Sequence, residues 1–171
     1  QTETTEGGKA LVAYFAYNEN MGDTSGMSVD AISSASLSND AGNESGNLQV
    51  MAQVIQEQTG ADIFQILVSE PYDPEYEVMR ERAYEELDNS TFPELQATVD
   101  NLDDYDVIYI GTPVWSGSMP RPVASFLNEN DLSGKTIVPI GIHLGSGFGS
   151  ILREMEELAP NAVIADGFTI N

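Results

Sequence analysis

The chain has 171 residues, 41% of them hydrophobic and 20% charged, which suits one globular domain with room for a substantial core. Six Lys and Arg stand against 28 Asp and Glu, a net charge of −22. Such a surface repels nucleic acid and anionic lipid, and suits a basic redox or carrier partner. There is no cysteine, which excludes disulfides, iron–sulfur ligation and a Cys nucleophile, and the one histidine, His143, argues against His-rich metal sites.

Residues 1–8 are polar and read as a flexible linker before a domain spanning 9–171. The first residue is Gln1, and a linker of this kind joins a lipid anchor to a fold in lipoproteins; tethered or secreted and cytoplasmic locations both stay open. Residues 9–15 form an apolar run without alternation, as in a strand buried on both faces. A long Ser/Asp/Asn/Gly-rich insert follows over 16–46, with Ser28-Val29-Asp30-Ala31-Ile32 its one hint of order. Leu48, Met51, Ala52 and Ile55 give a helix one apolar face, with Gly60 as its stop. Residues 63–68 read as the second strand. Asp73-Pro74-Glu75 starts a second helix that turns Tyr76, Met79, Ala83 and Leu87 inward and ends near Asn89.

Residues 105–110 are the third strand, closed by Gly111, and 112–117 a loop. A short helix over 120–128 buries Val123, Phe126 and Leu127. Strand four covers 137–142, a Gly-rich loop 143–149, a last helix 150–158 with Ile151, Leu152, Met155 and Leu158 inward, and a short fifth strand 162–164. No apolar run approaches the roughly 20 residues of a membrane-spanning helix. Alternating strands and helices with non-alternating strands predict a doubly wound α/β fold, parallel strands joined by right-handed crossovers. Ligands of such sheets bind beyond the carboxyl ends of the strands, and here the loops after strands one, three and four are the unusual ones.

At those loops the chain resembles a known family. Lys9-Ala10-Leu11-Val12-Ala13-Tyr14-Phe15, Pro93-Glu94-Leu95 with Asn101-Leu102-Asp103-Asp104-Tyr105-Asp106, Gly111-Thr112-Pro113-Val114-Trp115-Ser116-Gly117, Ser133-Gly134-Lys135-Thr136 and His143-Leu144-Gly145-Ser146-Gly147-Phe148-Gly149 occur in the order seen in bacterial flavodoxin-like proteins. The resemblance implies a five-stranded flavodoxin-like sheet of order 2-1-3-4-5, an FMN cofactor, and exchange of electrons with a redox protein or a small acceptor. It implies a ring site from Thr112, Pro113, Val114, Trp115, Ser116 and Gly117 on one side and His143, Leu144, Gly145, Ser146, Gly147 and Phe148 on the other. The phosphate would lie between Ala16, Tyr17 and Asn18 and the helix start at Gly46, Asn47, Leu48 and Gln49, whose free N–H groups and dipole suit an anion. No side chain is implied as acid or base; Trp115 would shield the flavin's face, and the acidic surface would lower its potential.

Three departures from the family stand out. The family's Thr or Ser hydroxyls after strand one are replaced by Ala16, Tyr17 and Asn18, with Ser45 and Asn47 nearby as substitutes. Ser116 stands where relatives commonly carry an aromatic. The family's last helix has no counterpart after the fifth strand; truncation, cover by the insert, or cover by another subunit would each account for it. The alternatives to an electron carrier are therefore a binding module that keeps the fold without tight FMN affinity, and a small FMN-dependent quinone or nitro reductase. Gly134-Lys135-Thr136 lacks the upstream Gly of a phosphate loop and precedes a strand, and His143 with Ser146 lacks a nucleophile elbow. Glu154, Glu156 and Glu157 read as a solvated helix face.

Overall fold

The computed structural model describes residues 8–23, 25 and 46–171; residues 1–7 of the expected linker, the hint of order at Ser28–Ile32 and the substitute hydroxyl of Ser45 lie outside them. The elements run β1 (Lys9–Tyr14), α1 (Asn47–Thr59), β2 (Asp62–Gln65), α2 (Tyr76–Asp88), β3 (Tyr105–Pro113), α3 (Arg121–Glu129), β4 (Thr136–Ile142), α4 (Ile151–Leu158), β5 (Val163–Ile164) and β6 (Phe168–Ile170). All strand pairings are parallel, in the order β2-β1-β3-β4-β5, with β6 also on β4. This is the flavodoxin-like arrangement that the sequence predicts.

Helices cover both faces. Beneath α2, α3 and α4 lies the larger core, with Leu11, Phe15, Ile108, Ile110, Val123, Phe126, Ile137, Ile151 and Met155 buried. On the other face α1 packs Leu48, Met51 and Ala52 against Val12, Tyr14, Ile140 and Ile142. Gly111 does not close β3; the strand continues to Pro113. A Cβ on Gly111 would sit 2.6 Å from the Met51 methyl and 3.2 Å from Leu48, so glycine here lets α1 approach the sheet.

The fifth strand is longer than the sequence suggests and is interrupted. Val163 and Ile164 pair with Thr136 and Ile137, and Phe168–Ile170 pair with Ile140–Ile142. The break faces Pro139, which has no N–H to donate, and Gly167 takes φ +64 there. Strand β2 is shorter than expected. After Gln65 the chain turns to meet residues 94–96, with Ser69 N–H donating to Glu94 and Gln96 N–H to Leu67. Asp73 accepts the Glu75 N–H at 2.8 Å, but the helix itself begins at Tyr76.

The apolar stripe of α2 also differs from expectation. Met79 is buried, but Tyr76 is 42% exposed and Ala83 and Leu87 are only half-buried. The helix stands off the loop after β3, and the stripe faces a cleft.

Candidate functional site

Three segments meet beyond the carboxyl ends of β1, β3 and β4. The first is the turn after β1. Ala16 and Tyr17 are buried, and the Tyr17 hydroxyl donates to the Asp73 carbonyl at 2.6 Å. Burial and the Asp73 charge push the Tyr17 phenol up to about 12. Asn20, which the sequence did not single out, holds this turn. Its amide donates to the carbonyls of Ala16 (2.8 Å) and Ile66 (3.1 Å) and accepts the Val68 N–H at 2.8 Å. The carboxylate of Glu19 accepts from Tyr14 at 2.8 Å, and burial raises its pKa. The side-chain oxygen of Asn18 and the second carboxylate oxygen of Glu19 are buried without a hydrogen-bond partner among the described residues.

Across from this turn α1 begins. Gly46 is its N-cap, and no side chain among the described residues caps the helix. The amides of Asn47, Leu48 and Gln49 therefore lie in a first turn whose N–H groups have no intrahelical acceptor. Leu48 contributes only its amide, since its side chain is in the core.

The second segment follows β3. Thr112 and Pro113 are buried strand residues, and the Thr112 hydroxyl is spent on the Pro113 carbonyl at 2.9 Å. Val114 N–H donates to Ile142, and Trp115 and Ser118 exchange both backbone hydrogen bonds, at 3.0 and 2.9 Å. Ser116 (φ +53) and Gly117 (φ +76) thus form a two-residue turn with both residues left-handed, the geometry of a tight hairpin. Trp115 packs edge-on against Phe15 (5.4 Å), Tyr72 (5.6 Å) and Tyr17 (6.1 Å), which joins the loops after β1 and β3. Its indole N–H is buried with no acceptor among the described residues.

The third segment follows β4. His143 is buried, and its Nδ1 accepts the Gly145 N–H at 2.8 Å. The proton of the neutral ring therefore sits on Nε2. Leu144 is 75% exposed, the Ser146 hydroxyl donates to Gly147, and the Phe148 ring lies against Gly141. This segment is fastened to the second. Ser150 donates to the Gly117 carbonyl from its amide (2.8 Å) and its hydroxyl (3.1 Å), and its hydroxyl lies 3.1 Å from that of Ser118. Glu154 accepts the Met119 N–H at 2.9 Å, so it is a positioning group and not part of a solvated face. Lys135 is likewise structural, its buried ammonium donating to the Tyr105 carbonyl.

Beside these segments lies a cleft of about 300 Å³ between α2 and the start of α3. Six predicted site residues line it: Val114, Trp115, Ser116, Gly117, Leu144 and Ser146. The segments around Ala16 and Gly46 do not, and neither do Thr112, Pro113, His143, Gly145, Gly147 and Phe148. The opposite wall, with Tyr76, Arg80, Tyr84 and Arg121, was missed. The only sequence signal for it was an exposed pair of aromatics flanking Arg80 on the helix. Ser116 and Arg80 beside the Tyr84 phenol lower its pKa, and the Arg80 guanidinium lies 5.4 Å over its ring.

A parallel sheet with this strand order and special loops at the carboxyl ends of β1, β3 and β4 defines a flavodoxin-like protein. The family model for flavodoxin matches residues 41–171, and the chain belongs to that family. Solved structures agree on the fold. A candidate flavoprotein from Bacteroides eggerthii is 23% identical with a TM-score of 0.72, covering 96% of this chain and 89% of that one. One from Bacteroides uniformis is 24% identical (TM-score 0.68; 97% and 92%). A flavoprotein from Lactobacillus acidophilus, solved in complex with FMN, is 19% identical (TM-score 0.69; 95% and 93%). Among curated proteins, none matches this sequence.

Proposed function

We infer that the chain binds FMN and serves as an electron-transfer flavoprotein. The observation that carries this is the fastening of the loops after β3 and β4 through the Gly117 carbonyl, next to Trp115. That fastening supports a preordered ring site, on which little ordering cost would remain to be met. Two features fit the cofactor. The uncapped first turn of α1 offers amides and a positive dipole end to a phosphate. The tight turn at Ser116 and Gly117, both left-handed, suits close approach of the polar edge of a flavin to the backbone. The residues that would hold it are those of the 112–117 and 143–148 loops for the ring, and 16–18 with 46–49 for the phosphate. When bound, FMN supplies one- and two-electron chemistry; the chain's own part is to bind, orient and screen it. Its acidic surface favours basic redox partners.

A second reading is favoured by Glu19. A half-buried carboxylate beside the phosphate end opposes a dianion, and none of the six Lys and Arg lies among residues 16–18 or 46–49. On that reading the fold is a binding module without tight FMN affinity. Titration of FMN into the purified chain, followed by flavin fluorescence, separates the two. Stoichiometric quenching at micromolar concentration that weakens in Trp115→Ala supports the flavoprotein. No quenching at about 100 μM, far above a micromolar Kd, refutes it.

A further inference from the structure

We propose that the cleft between α2 and the start of α3 is a binding site for a small planar aromatic anion, an aromatic carboxylate, held by Arg80. The cleft shares Val114, Trp115, Ser116, Gly117, Leu144 and Ser146 with the loops proposed for the flavin ring, so a test against FMN decides between the two ligands. At about 300 Å³ the cleft lies at the lower end of the range for small-molecule sites, room for a ligand of one or two rings. Its walls are Met79, Leu87 and Val114 on the apolar side and Tyr76, Tyr84 and Trp115 on the aromatic side. Met79, Ala83 and Leu87 have the spacing of a core-facing stripe; Met79 is buried, but Ala83 and Leu87 are only half-buried along the cleft, and Tyr76 beside them is 42% exposed. The apolar area that Ala83, Leu87 and Tyr76 leave uncovered would be buried by a flat ligand in the cleft.

Charge selects the ligand. In a chain of net charge −22, two of the six Lys and Arg, Arg80 and Arg121, line this one cleft. Three of the others are engaged elsewhere: Arg82 with Glu86 at 2.9 Å, Arg153 with Glu157 at 3.9 Å, and Lys135 with the Tyr105 carbonyl. Lys9 begins β1, at the opposite end of the sheet from the site loops. The Arg121 guanidinium is fixed, donating to the Thr91 carbonyl at 2.7 Å and lying 4.7 Å over Phe92. Glu86 and Glu154 act on it from α2 and α4. Arg80 is the adaptable cation. Its only ion pair among the described residues is with Glu77 at 3.3 Å, and both side chains are about half or more exposed (47% and 67%). Such a pair holds weakly, so an incoming carboxylate displaces Glu77 at little cost.

Three aromatic rings in an acidic protein also suggest a cage for an organic cation. Arg80 argues against it, because its guanidinium already lies 5.4 Å over the Tyr84 ring and would repel a second positive charge. The same arrangement favours a ligand carrying a ring for Trp115 and Tyr84 and a carboxylate for Arg80.

The test uses three ring-matched probes: naphthoate, naphthylmethanol and naphthylmethylammonium. Each is titrated by calorimetry, with quenching of Trp115, the one Trp of the chain, as local reporter. Naphthoate is expected to bind saturably and about fivefold tighter than the alcohol, the ratio a partly exposed ion pair supports. Arg80→Gln should erase that preference and Glu77→Gln should widen it; both side chains are exposed, so neither change threatens folding. Absence of saturable naphthoate binding, equal or tighter binding of the alcohol or the ammonium, or an Arg80→Gln chain that binds naphthoate like the wild type overturns the proposal. Repeating the titration with FMN present closes it. One-for-one displacement of naphthoate by FMN would make the cleft the flavin's own and overturn the proposal, whereas naphthoate binding with no FMN uptake leaves it intact and sinks only the flavin reading.

Discussion

Gly149→Ala drives a methyl group into the peptide of Gly117. An added Cβ would lie 2.7 Å from the Gly117 carbonyl carbon and 2.9 Å from its Cα, and both belong to backbone that cannot rotate away. The same backbone carbonyl takes the two hydrogen bonds from Ser150, so relief of the clash parts the loops after β3 and β4. Gly145→Ala is the control. Gly145 is also left-handed (φ +99) but has open space around it, so its replacement meets only the conformational cost of a side chain at positive φ, roughly 1 kcal/mol or somewhat more. Gly149, at φ +55, carries a similar cost plus overpacking of about 1–3 kcal/mol. The expected excess of Gly149→Ala over Gly145→Ala is therefore about 2 kcal/mol, or about 4–8 °C in Tm for a chain of this size. Urea unfolding of the three proteins measures it. Equal midpoints for the two variants would show that the loops are not fastened through Gly117.

Three further outcomes follow from buried groups. Asn20→Ala leaves the Val68 N–H and the Ala16 carbonyl short of a partner and should cost about 2–4 kcal/mol by denaturant unfolding; a loss under 1 kcal/mol would remove Asn20 as the tie between β1 and β2. Tyr72→Phe removes the 2.6 Å hydrogen bond to the buried Glu86 carboxylate and should cost about 1–3 kcal/mol, most of which disappears when Glu86→Gln is already present; additive losses would contradict the coupling. Glu19→Gln tests pH. Burial raises the folded-state pKa of Glu19 above 4.5, so its protonated form adds stability that is full below that value and is lost as pH rises through the folded pKa. The Tm of the wild type should thus fall relative to Glu19→Gln as pH increases from about 4.5, and parallel Tm curves would refute the assignment. The same substitution should tighten FMN binding if the phosphate lies beside this turn.

The sheet was legible where strands are buried on both faces. Leu11–Phe15 and Val107–Ile110 are apolar without alternation, and that pattern has one structural meaning in a chain of alternating strands and helices. The loops of the candidate site were legible because Trp115 and the glycines after β4 are rare residue types at strand ends. The opposite wall was not. Tyr76, Met79, Ala83 and Leu87 have the spacing of a buried face, and only the distance between α2 and the loop after β3 turns that face into a cleft wall. Asn20 was invisible for a similar reason, since its partners Ile66 and Val68 lie 46 and 48 residues away. Strand β6 was missed because three residues carry little pattern and a left-handed Gly167 separates them from β5.

That interruption shapes how molecules of this chain meet one another. Val163, Phe168 and Ile170 are 62%, 46% and 39% exposed along the outer strand, apolar enough to recruit a strand from a neighbouring copy. A continuous ribbon from Val163 to Ile170 would present an uninterrupted row of backbone donors and acceptors for that purpose. The bend opposite Pro139 divides the row into a piece of two residues and a piece of three, with exposed Asp166 between them. Each piece is shorter than an ordinary strand, and a carboxylate between them would repel its own image on an approaching copy, so the kink that shortens the sheet also leaves little edge for a neighbouring strand to extend.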